Sequence, residues 1–157
     1  MYRVGFGYDV HRFAGGRKLI LGGIEIPYEK GLEGHSDADV LCHAIGDALL
    51  GGSSSGDIGH LFPDTDKKYK DISSLILLKK INGIIKSKGY YIENIDSTIL
   101  LEQPKVEKYI DDMRVKLAQT LEIEFDRISV KATTSEKMGF VGKKEGVAAY
   151  AVILLGR

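Results

Sequence analysis

The sequence has little of three things, and each scarcity excludes a class of protein. It contains one cysteine, Cys42, so no disulfide can form within the chain, and a reducing compartment is expected. Its 22 basic and 22 acidic side chains cancel, which leaves no net field to attract nucleic acid. No stretch approaches the roughly 18 apolar residues of a membrane span, and the first ten residues lack the basic and apolar regions of a signal peptide. We therefore expect a cytoplasmic protein, or an organellar one without its targeting peptide, that binds neither nucleic acid nor membranes.

What remains is an ordinary globular composition. The 157 residues, 43% of them hydrophobic and 28% charged, are enough to bury one sizeable core. No internal repeat, low-complexity segment or linker divides the chain, so we expect a single domain over residues 1–157. Cys42 lies beside the apolar face of a predicted helix, which favours a buried structural side chain over a nucleophile.

Residues 2–11 alternate between apolar and other side chains, which is typical of a β-strand. In such a strand Asp9 and His11 point the same way, with Cβ atoms about 6 to 7 Å apart, so they can share one metal ion. Gly5 and Gly7 are expected to leave that face open. The alternative is an exposed strand end that carries two polar residues.

The stretch from His35 to Gly59 places two histidines and four aspartates on one predicted helix and its flanking loops. Ser36 is predicted as the N-cap, with Asp39 three positions later in a capping box. His43 then lies on the polar edge between Asp39 and Asp47, where an acid can accept the proton of the non-ligating ring nitrogen. His43 is therefore a candidate metal ligand, and the alternative is a surface histidine in an ion pair.

The other periodicities predict further helices and strands. In chain order these are a hairpin or bulge over Leu19–Ile26, a helix over Ser73–Lys88, a strand over Tyr90–Leu101, a helix opened by Pro104, and strands over Ile128–Ala132 and Val147–Leu155. Glycines, Pro63 and aspartates predict an irregular, mobile loop over residues 51–71, with Phe62 making an apolar contact when the loop closes.

This order of elements predicts an α+β fold, in which helices cover one face of a mixed sheet. The last strand is apolar on both faces, so neither face can be exposed. The uncovered face of the sheet therefore implies oligomerisation. Residues 131–146 combine hydroxyls, lysines and glycines after a strand, as an anion-binding loop requires, but glycine-rich loops are common and this pattern alone assigns no site.

Five motifs occur in one order along the chain. They are GYDVHRF at 7–13, IPYEKGLEGHSDADVLCHAIGDALLG at 26–51, GDIGHLFPDTD at 56–66, QPK at 103–105 and KATTSEKMGF at 131–140. Together they resemble the 2-C-methyl-D-erythritol 2,4-cyclodiphosphate synthase family over nearly the whole chain.

The resemblance implies a metal-dependent active site. It implies that Asp9, His11 and His43 are zinc ligands, with the fourth tetrahedral position open to a substrate phosphate. His35 and Thr134 match positions that stabilise the transition state. Glu136 matches a ligand to magnesium or manganese.

The resemblance also implies the substrate-binding residues. Ser36 is a nearby hydroxyl donor, residues 57–59 and 62–66 match the segments that hold the methylerythritol part, and residues 101–107 and 132–135 match the cytidine pocket. The implied contacts are Ser36, Asp57, Ile58, Gly59, Phe62, Pro63, Asp64, Thr65, Asp66, Leu101, Pro104, Lys105, Ala132, Thr133, Ser135, Phe140 and Lys143. At Lys143 the family usually has arginine, which puts an axial pocket for isoprenoid diphosphates in doubt but not the chemistry.

The implied activity is cyclisation of a cytidine diphosphate-type substrate with release of CMP. The implied assembly is a homotrimer with active sites between subunits and sheets packed around the axis. Two alternatives remain on the residues alone. A zinc phosphohydrolase would use the same metal to activate water. A binding protein with a structural metal would be expected to supply four protein ligands instead of three.

Overall fold

A five-stranded mixed sheet forms one layer of the protein. In the computed structural model, which describes all residues Met1–Arg157, the strands are β1 (Tyr2–Ala14), β4 (Gly31–Leu32), β5 (Tyr91–Leu100), β6 (Ile128–Thr133) and β7 (Gly146–Gly156). Their order is β4-β1-β7-β5-β6, and only β5 and β6 run parallel. A separate hairpin pairs β2 (Leu19–Leu21) with β3 (Ile24–Ile26), as the sequence predicted.

The long helices lie on one side of this sheet. The long ones are α1 (Val40–Gly52), α3 (Ser74–Ser87) and α4 (Ile110–Leu121), and the short ones are α2 (Ile58–Leu61) and α5 (Gly139–Gly142). Helix α1 contacts β1 and β7, α3 packs on α1, and α4 packs on α3 and β6. The predicted α+β architecture, with helices on one face of a mixed sheet, is therefore confirmed. None of these helices combines the length and apolar character needed to cross a bilayer.

Helix α1 approaches β1 closely because β1 has glycines where the two meet. A Cβ atom on Gly5 would lie 1.9 Å from the carbonyl oxygen of Ala48, and one on Gly7 would lie 1.9 Å from that of Ala44. The expectation that these glycines leave an open face was wrong, since the backbone of α1 fills the space. Their effect is to bring the polar edge of α1 to the end of β1.

The opposite side of the sheet, which we call the outer face, is apolar and uncovered within one chain. It consists of Tyr2, Val4, Phe6, Tyr8 and Val10 of β1 with Tyr150 and Val152 of β7, and all seven side chains are exposed. Phe6 pairs with Val152 and Tyr8 with Tyr150 across the antiparallel ladder, where the two tyrosine rings lie 5.1 Å apart. A contiguous apolar face of this kind marks an interaction surface.

The start of α1 differs from its prediction. Ala38 has a positive φ of 57°, so the helix begins only at Val40, and its N-cap is Asp39 instead of Ser36. Asp39 is fully buried and accepts hydrogen bonds from the backbone nitrogens of Gly22, Gly23 and Cys42. Burial raises the pKa of Asp39, and the nearby Asp37 raises it further. The predicted capping box and the polar-edge position of Asp39 were therefore wrong.

Other boundaries follow the prediction more closely. Helix α3 has Ser73 as N-cap and is followed by Gly89 with a φ of 79°, as expected for its C-terminal end. The third long helix begins at Ile110, after a 3-10 turn over Glu107–Tyr109, and not at Pro104. Cys42 is buried, as expected, and burial raises the pKa of its thiol well above the usual value.

The loop over residues 51–71 is more regular than predicted. It contains α2 and a 3-10 turn over Lys67–Tyr69, whose N-caps are Asp57 and Asp66. The aspartates, whose presence in the sequence favours an irregular loop, accept hydrogen bonds from the backbone nitrogens of His60 and Lys68 and so start these turns.

Candidate active site

Three predicted metal ligands meet where the end of β1 faces α1. The Oδ2 atom of Asp9 lies 2.9 Å from Nε2 of His11 and 3.1 Å from Nδ1 of His43, and the two nitrogens are 3.2 Å apart. Asp9 and His11 project from the same face of β1, as the period of the strand predicted. The structure therefore brings this carboxylate and these two imidazoles into one cluster.

The geometry of this cluster suits a tetrahedral metal. Ligands bonded to zinc at about 2.0 to 2.1 Å in a tetrahedron are about 3.3 Å apart, close to the three distances seen here. Two imidazoles and one carboxylate also match the donor set of catalytic zinc sites, which leave one position open. The residues therefore fit a divalent metal such as zinc.

In each histidine, the ring nitrogen that faces away from the cluster lies within hydrogen-bond distance of a protein oxygen. Nδ1 of His11 lies 2.7 Å from the carbonyl oxygen of Glu33, and Nε2 of His43 lies 2.9 Å from Oγ of Ser74 and 3.2 Å from Oγ of Ser36. An acid at i−4 or i+4 was predicted to orient His43, and this was wrong. Asp39 is turned inward, and Asp47 accepts a hydrogen bond from the nitrogen of Ile58.

Within the cluster, Asp9 and His11 each shift the pKa of the other toward its charged form. Burial alone would raise the pKa of Asp9, but its hydrogen bond with His11 and its interaction with the imidazole of His43 outweigh burial and hold that pKa below its usual value. Burial alone would lower the pKa of His11, but Asp9 raises it above its usual value. An ionised carboxylate beside two imidazoles is the donor set of a cation site, and a bound cation would displace the proton that Asp9 favours on His11.

The cluster forms one wall of a cavity of about 400 Å³. Predicted residues that also line it are His35, Ser36, Ile58, Gly59, Phe62 and Asp64. Nε2 of His35 lies 3.0 Å from the carbonyl oxygen of Asp66, which connects this histidine to the start of the 3-10 turn over Lys67–Tyr69. The same loop contains Pro63, Thr65 and Asp66. Asp57 is the N-cap of α2, which precedes these residues.

Three further residues of this cavity, Gly34, Tyr69 and Leu77, were not predicted as site residues from the sequence. Tyr69 is buried and meets Phe62 edge to face, with ring centroids 5.4 Å apart. The apolar contact expected of Phe62 is therefore present. A buried tyrosine within the lysine-rich run at 67–70 gave no periodic signal that would have identified it.

A second cavity of about 210 Å³ lies where β5 and β6 end side by side. It is lined by Leu101, Glu102, Pro104, Lys105, Val106, Glu107, Ala132, Thr133 and Thr134. Because parallel strands end at the same edge of a sheet, residues about 30 positions apart meet there. Both predicted segments, 101–107 and 132–135, thus contribute to one pocket, although Ser135 does not line it.

The loop after β6 is held by Glu102, which lies in the predicted segment 101–107 but was not named as a contact or given this role. One oxygen of Glu102 accepts hydrogen bonds from the backbone nitrogens of Ser135 and Lys137 and from Oγ of Ser135. The hydrogen bond from Lys137 is the main reason why the pKa of Glu102 is lowered. This anchor fixes the loop while Glu136 stays exposed.

The predicted catalytic pair is divided between the two cavities. His35 lines the cavity beside the metal cluster, whereas Thr134 lines the cavity at the end of β6. Phe140 lines a further cavity of about 330 Å³ next to Arg12 and His11. Lys143 is exposed at the end of α5. One chain therefore presents two separate parts of the predicted site.

Comparison with known proteins gives a uniform result. A model described as the YgbB family matches residues 2–156. The 2-C-methyl-D-erythritol 2,4-cyclodiphosphate synthase of Clostridium tetani is 57% identical over 155 residues, which cover 99% of this chain and 98% of that protein. The protein of the same name from Bacillus subtilis is 56% identical over 155 residues, again 99% of this chain and 98% of that protein.

Solved structures give the same likeness. The bifunctional IspDF of Campylobacter jejuni is similar with a TM-score of 0.95 and 42% identity, over 99% of this chain and 42% of that one. This chain thus spans about two fifths of the bifunctional protein. A CDP complex of IspF from Plasmodium falciparum is similar with a TM-score of 0.86 and 34% identity, over 98% of this chain and 95% of that one.

Proposed function

The chain belongs to the YgbB family, and we propose that it converts 4-diphosphocytidyl-2-C-methyl-D-erythritol 2-phosphate into 2-C-methyl-D-erythritol 2,4-cyclodiphosphate and CMP. This is a step of non-mevalonate isoprenoid precursor synthesis, catalysed by a phosphorus–oxygen lyase. The observation that carries the proposal is the cluster of Asp9, His11 and His43 at the wall of a cavity of about 400 Å³. The curated relatives that match nearly the full chain carry the name of this activity.

The metals are zinc and magnesium or manganese. Asp9, His11 and His43 would hold Zn²⁺ with one position free for a phosphate oxygen, and Glu136 would contact Mg²⁺ or Mn²⁺ at the diphosphate. When bound, such cations act as Lewis acids that neutralise charge developing on phosphoryl oxygens. An oxygen-rich diphosphate with one carboxylate is the ligand set that magnesium prefers.

The protein needs no nucleophile of its own for this reaction. An oxygen of the 2-phosphate forms a bond to the β-phosphorus, and the bond from that phosphorus to the oxygen bridging the diphosphate breaks, so CMP leaves. The side chains have to hold the two reacting groups in line, which is where most of the acceleration arises in an intramolecular reaction. His35, Ser36 and Thr134 would donate hydrogen bonds to oxygens that gain charge.

The substrate would extend across both cavities. The methylerythritol part lies against Asp57, Ile58 and Gly59 and against residues 62–66. The cytidine part lies in the pocket formed by residues 101–107 and 132–135, whose accessible backbone groups can recognise a base. The CDP complex of the Plasmodium falciparum relative supports a cytidine nucleotide as ligand.

The working unit is a homotrimer with each active site shared between two subunits. The exposed apolar outer face supports this proposal, because it needs a cover that one chain does not supply. The placement of His35 and Thr134 in different cavities supports it too, since two subunits can bring the two parts together. The balanced charge supports a small-molecule substrate rather than nucleic acid, and we place the enzyme in the cytoplasm.

The decisive experiment separates internal attack from attack by water. Turnover in oxygen-18 water should give CMP and one equivalent of cyclic diphosphate, both without label by mass spectrometry. A zinc phosphohydrolase would place the label in CMP or in a linear phosphate, and that result would overturn the proposal. His35→Ala and Thr134→Ala should each lower kcat roughly 10²- to 10³-fold, as expected of donors that act on developing charge.

A further inference from the structure

Ser74 is a buried hydroxyl placed between a metal-site histidine and a carboxylate. It is the first residue of α3 and is 1% exposed. Its Oγ atom lies 2.9 Å from Nε2 of His43 and 2.5 Å from Oδ1 of Asp37. The nitrogen of Ser74 also donates to Oδ2 of Asp37, at 3.0 Å, so the carboxylate holds this residue at two points.

The direction of these hydrogen bonds follows from the groups involved. An ionised carboxylate only accepts, so the single hydroxyl proton of Ser74 points to Asp37. The lone pairs of Oγ are then left to accept from Nε2 of His43, which must carry the ring proton. In a neutral imidazole the other nitrogen, Nδ1, is then unprotonated. Nδ1 is the atom that faces Asp9 and His11.

We propose that Asp37 and Ser74 are positioning residues that select the ligating tautomer of His43 and fix its ring. The inference rests on the proposed function in one respect, that the cluster of Asp9, His11 and His43 binds a metal. Partners of this kind on a ligand's second nitrogen typically change metal affinity by about 10- to 100-fold. Ser74 lies 31 residues from His43 along the chain, and the contact exists because α3 packs on α1.

A purely structural role must be distinguished from this one, because Asp37 also receives the nitrogen of Ser74 at the start of α3. The test therefore measures Zn²⁺ binding by the metal-free full-length protein, with zinc alone and a competing chelator, beside thermal unfolding of the metal-free form. Ser53→Ala is the matched control, since Ser53 is a buried serine, 3% exposed, whose Oγ donates to the carbonyl oxygen of Leu50.

We expect Ser74→Ala to weaken zinc binding by about 10- to 100-fold and to change the visible spectrum of the cobalt-substituted protein. Ser53→Ala should alter neither, and Ser74→Thr, which keeps the hydroxyl, should restore most of the affinity. Asp37→Asn should weaken binding as well, and the Asp37→Asn/Ser74→Ala double variant should bind no more weakly than Ser74→Ala, because the two residues act in series.

Zinc affinity of Ser74→Ala within twofold of the wild type would overturn the inference, as would losses that add in the double variant. If Ser74→Ala does not fold, Asp37→Asn against the wild type gives the same decision. The outcome is separate from that of the proposed function. Label from oxygen-18 water in the products would remove the cyclase activity, while the zinc measurements would still report on Ser74.

Discussion

Replacing Gly7 with alanine tests how closely strand and helix have to approach to form the metal cluster. A Cβ atom on Gly7 would lie 1.9 Å from the carbonyl oxygen of Ala44 and 2.8 Å from the nitrogen of Ala48. Both are backbone atoms of α1, so no rotation of a side chain relieves the clash. To reach even 3.0 Å, the shortest distance that real Cβ atoms show, α1 and β1 must separate by about 1.1 Å.

The expected cost is large. Inserting a methyl group into a packed core typically costs about 1 to 3 kcal/mol, and moving a backbone lies at the upper end or beyond. We expect Gly7→Ala to lower the free energy of unfolding by about 3 kcal/mol or more. His43 immediately precedes Ala44, so the same shift would lengthen the 3.1 Å contact between His43 and Asp9. The molecules that remain folded should therefore bind zinc more weakly.

The measurement is denaturant unfolding of the metal-free protein, followed by circular dichroism at one fixed protein concentration, since assembly makes stability depend on concentration. Gly15→Ala and Gly83→Ala are the controls, because a Cβ atom at either position meets nothing within 4 Å. Gly83 lies inside α3, so its replacement should stabilise the protein by about 0.5 to 1 kcal/mol. A loss below 1 kcal/mol for Gly7→Ala would refute the packing argument.

Three further predictions concern the metal, the assembly and the loop anchor. The purified protein should carry about one zinc per subunit by metal analysis, and His11→Ala or His43→Ala should lose it while keeping the circular dichroism spectrum; zinc retained in both would exclude this site. Light scattering should give about three times the 17.3 kDa chain, and Val152→Lys on the outer face should dissociate it; a wild-type monomer would contradict the assembly. Glu102→Ala should weaken CDP binding by roughly 3- to 10-fold at pH 7, because the loop over residues 135–137 loses its acceptor. The pKa of Glu102 is lowered on folding, so its effect should be full above its ordinary value of 4.5 and disappear as the pH falls through the lowered pKa; an unchanged CDP affinity would exclude the anchor.

Local periodicity was sufficient to place a site residue where the direction of its side chain follows from its own helix or strand. The alternation of β1 placed Asp9 beside His11, and the apolar period of α1 left His43 on the side that meets them. Periodicity failed for Asp39, because its burial depends on the β2–β3 turn, whose nitrogens bond it from 16 and 17 residues away. A helical wheel contains no information on a distant turn.

For the same reason, the roles of the residues that support the site could not be predicted from the sequence. Ser74 contacts His43 only through the packing of α3 on α1, and Glu102 contacts Ser135 and Lys137 only because β5 and β6 end together. Neither residue type is unusual at its position, so motif and spacing do not single it out. Such partners are determined by tertiary contacts between segments 30 or more residues apart.

The division of His35 and Thr134 between two cavities has a genetic consequence in the proposed trimer. A chain with a defective His35 still supplies an intact Thr134 to its neighbour, and a chain with a defective Thr134 still supplies an intact His35. Any ring that contains both kinds of chain has one boundary at which the two intact contributions face each other. Two inactive alleles expressed together would therefore complement, with one working site in each mixed trimer.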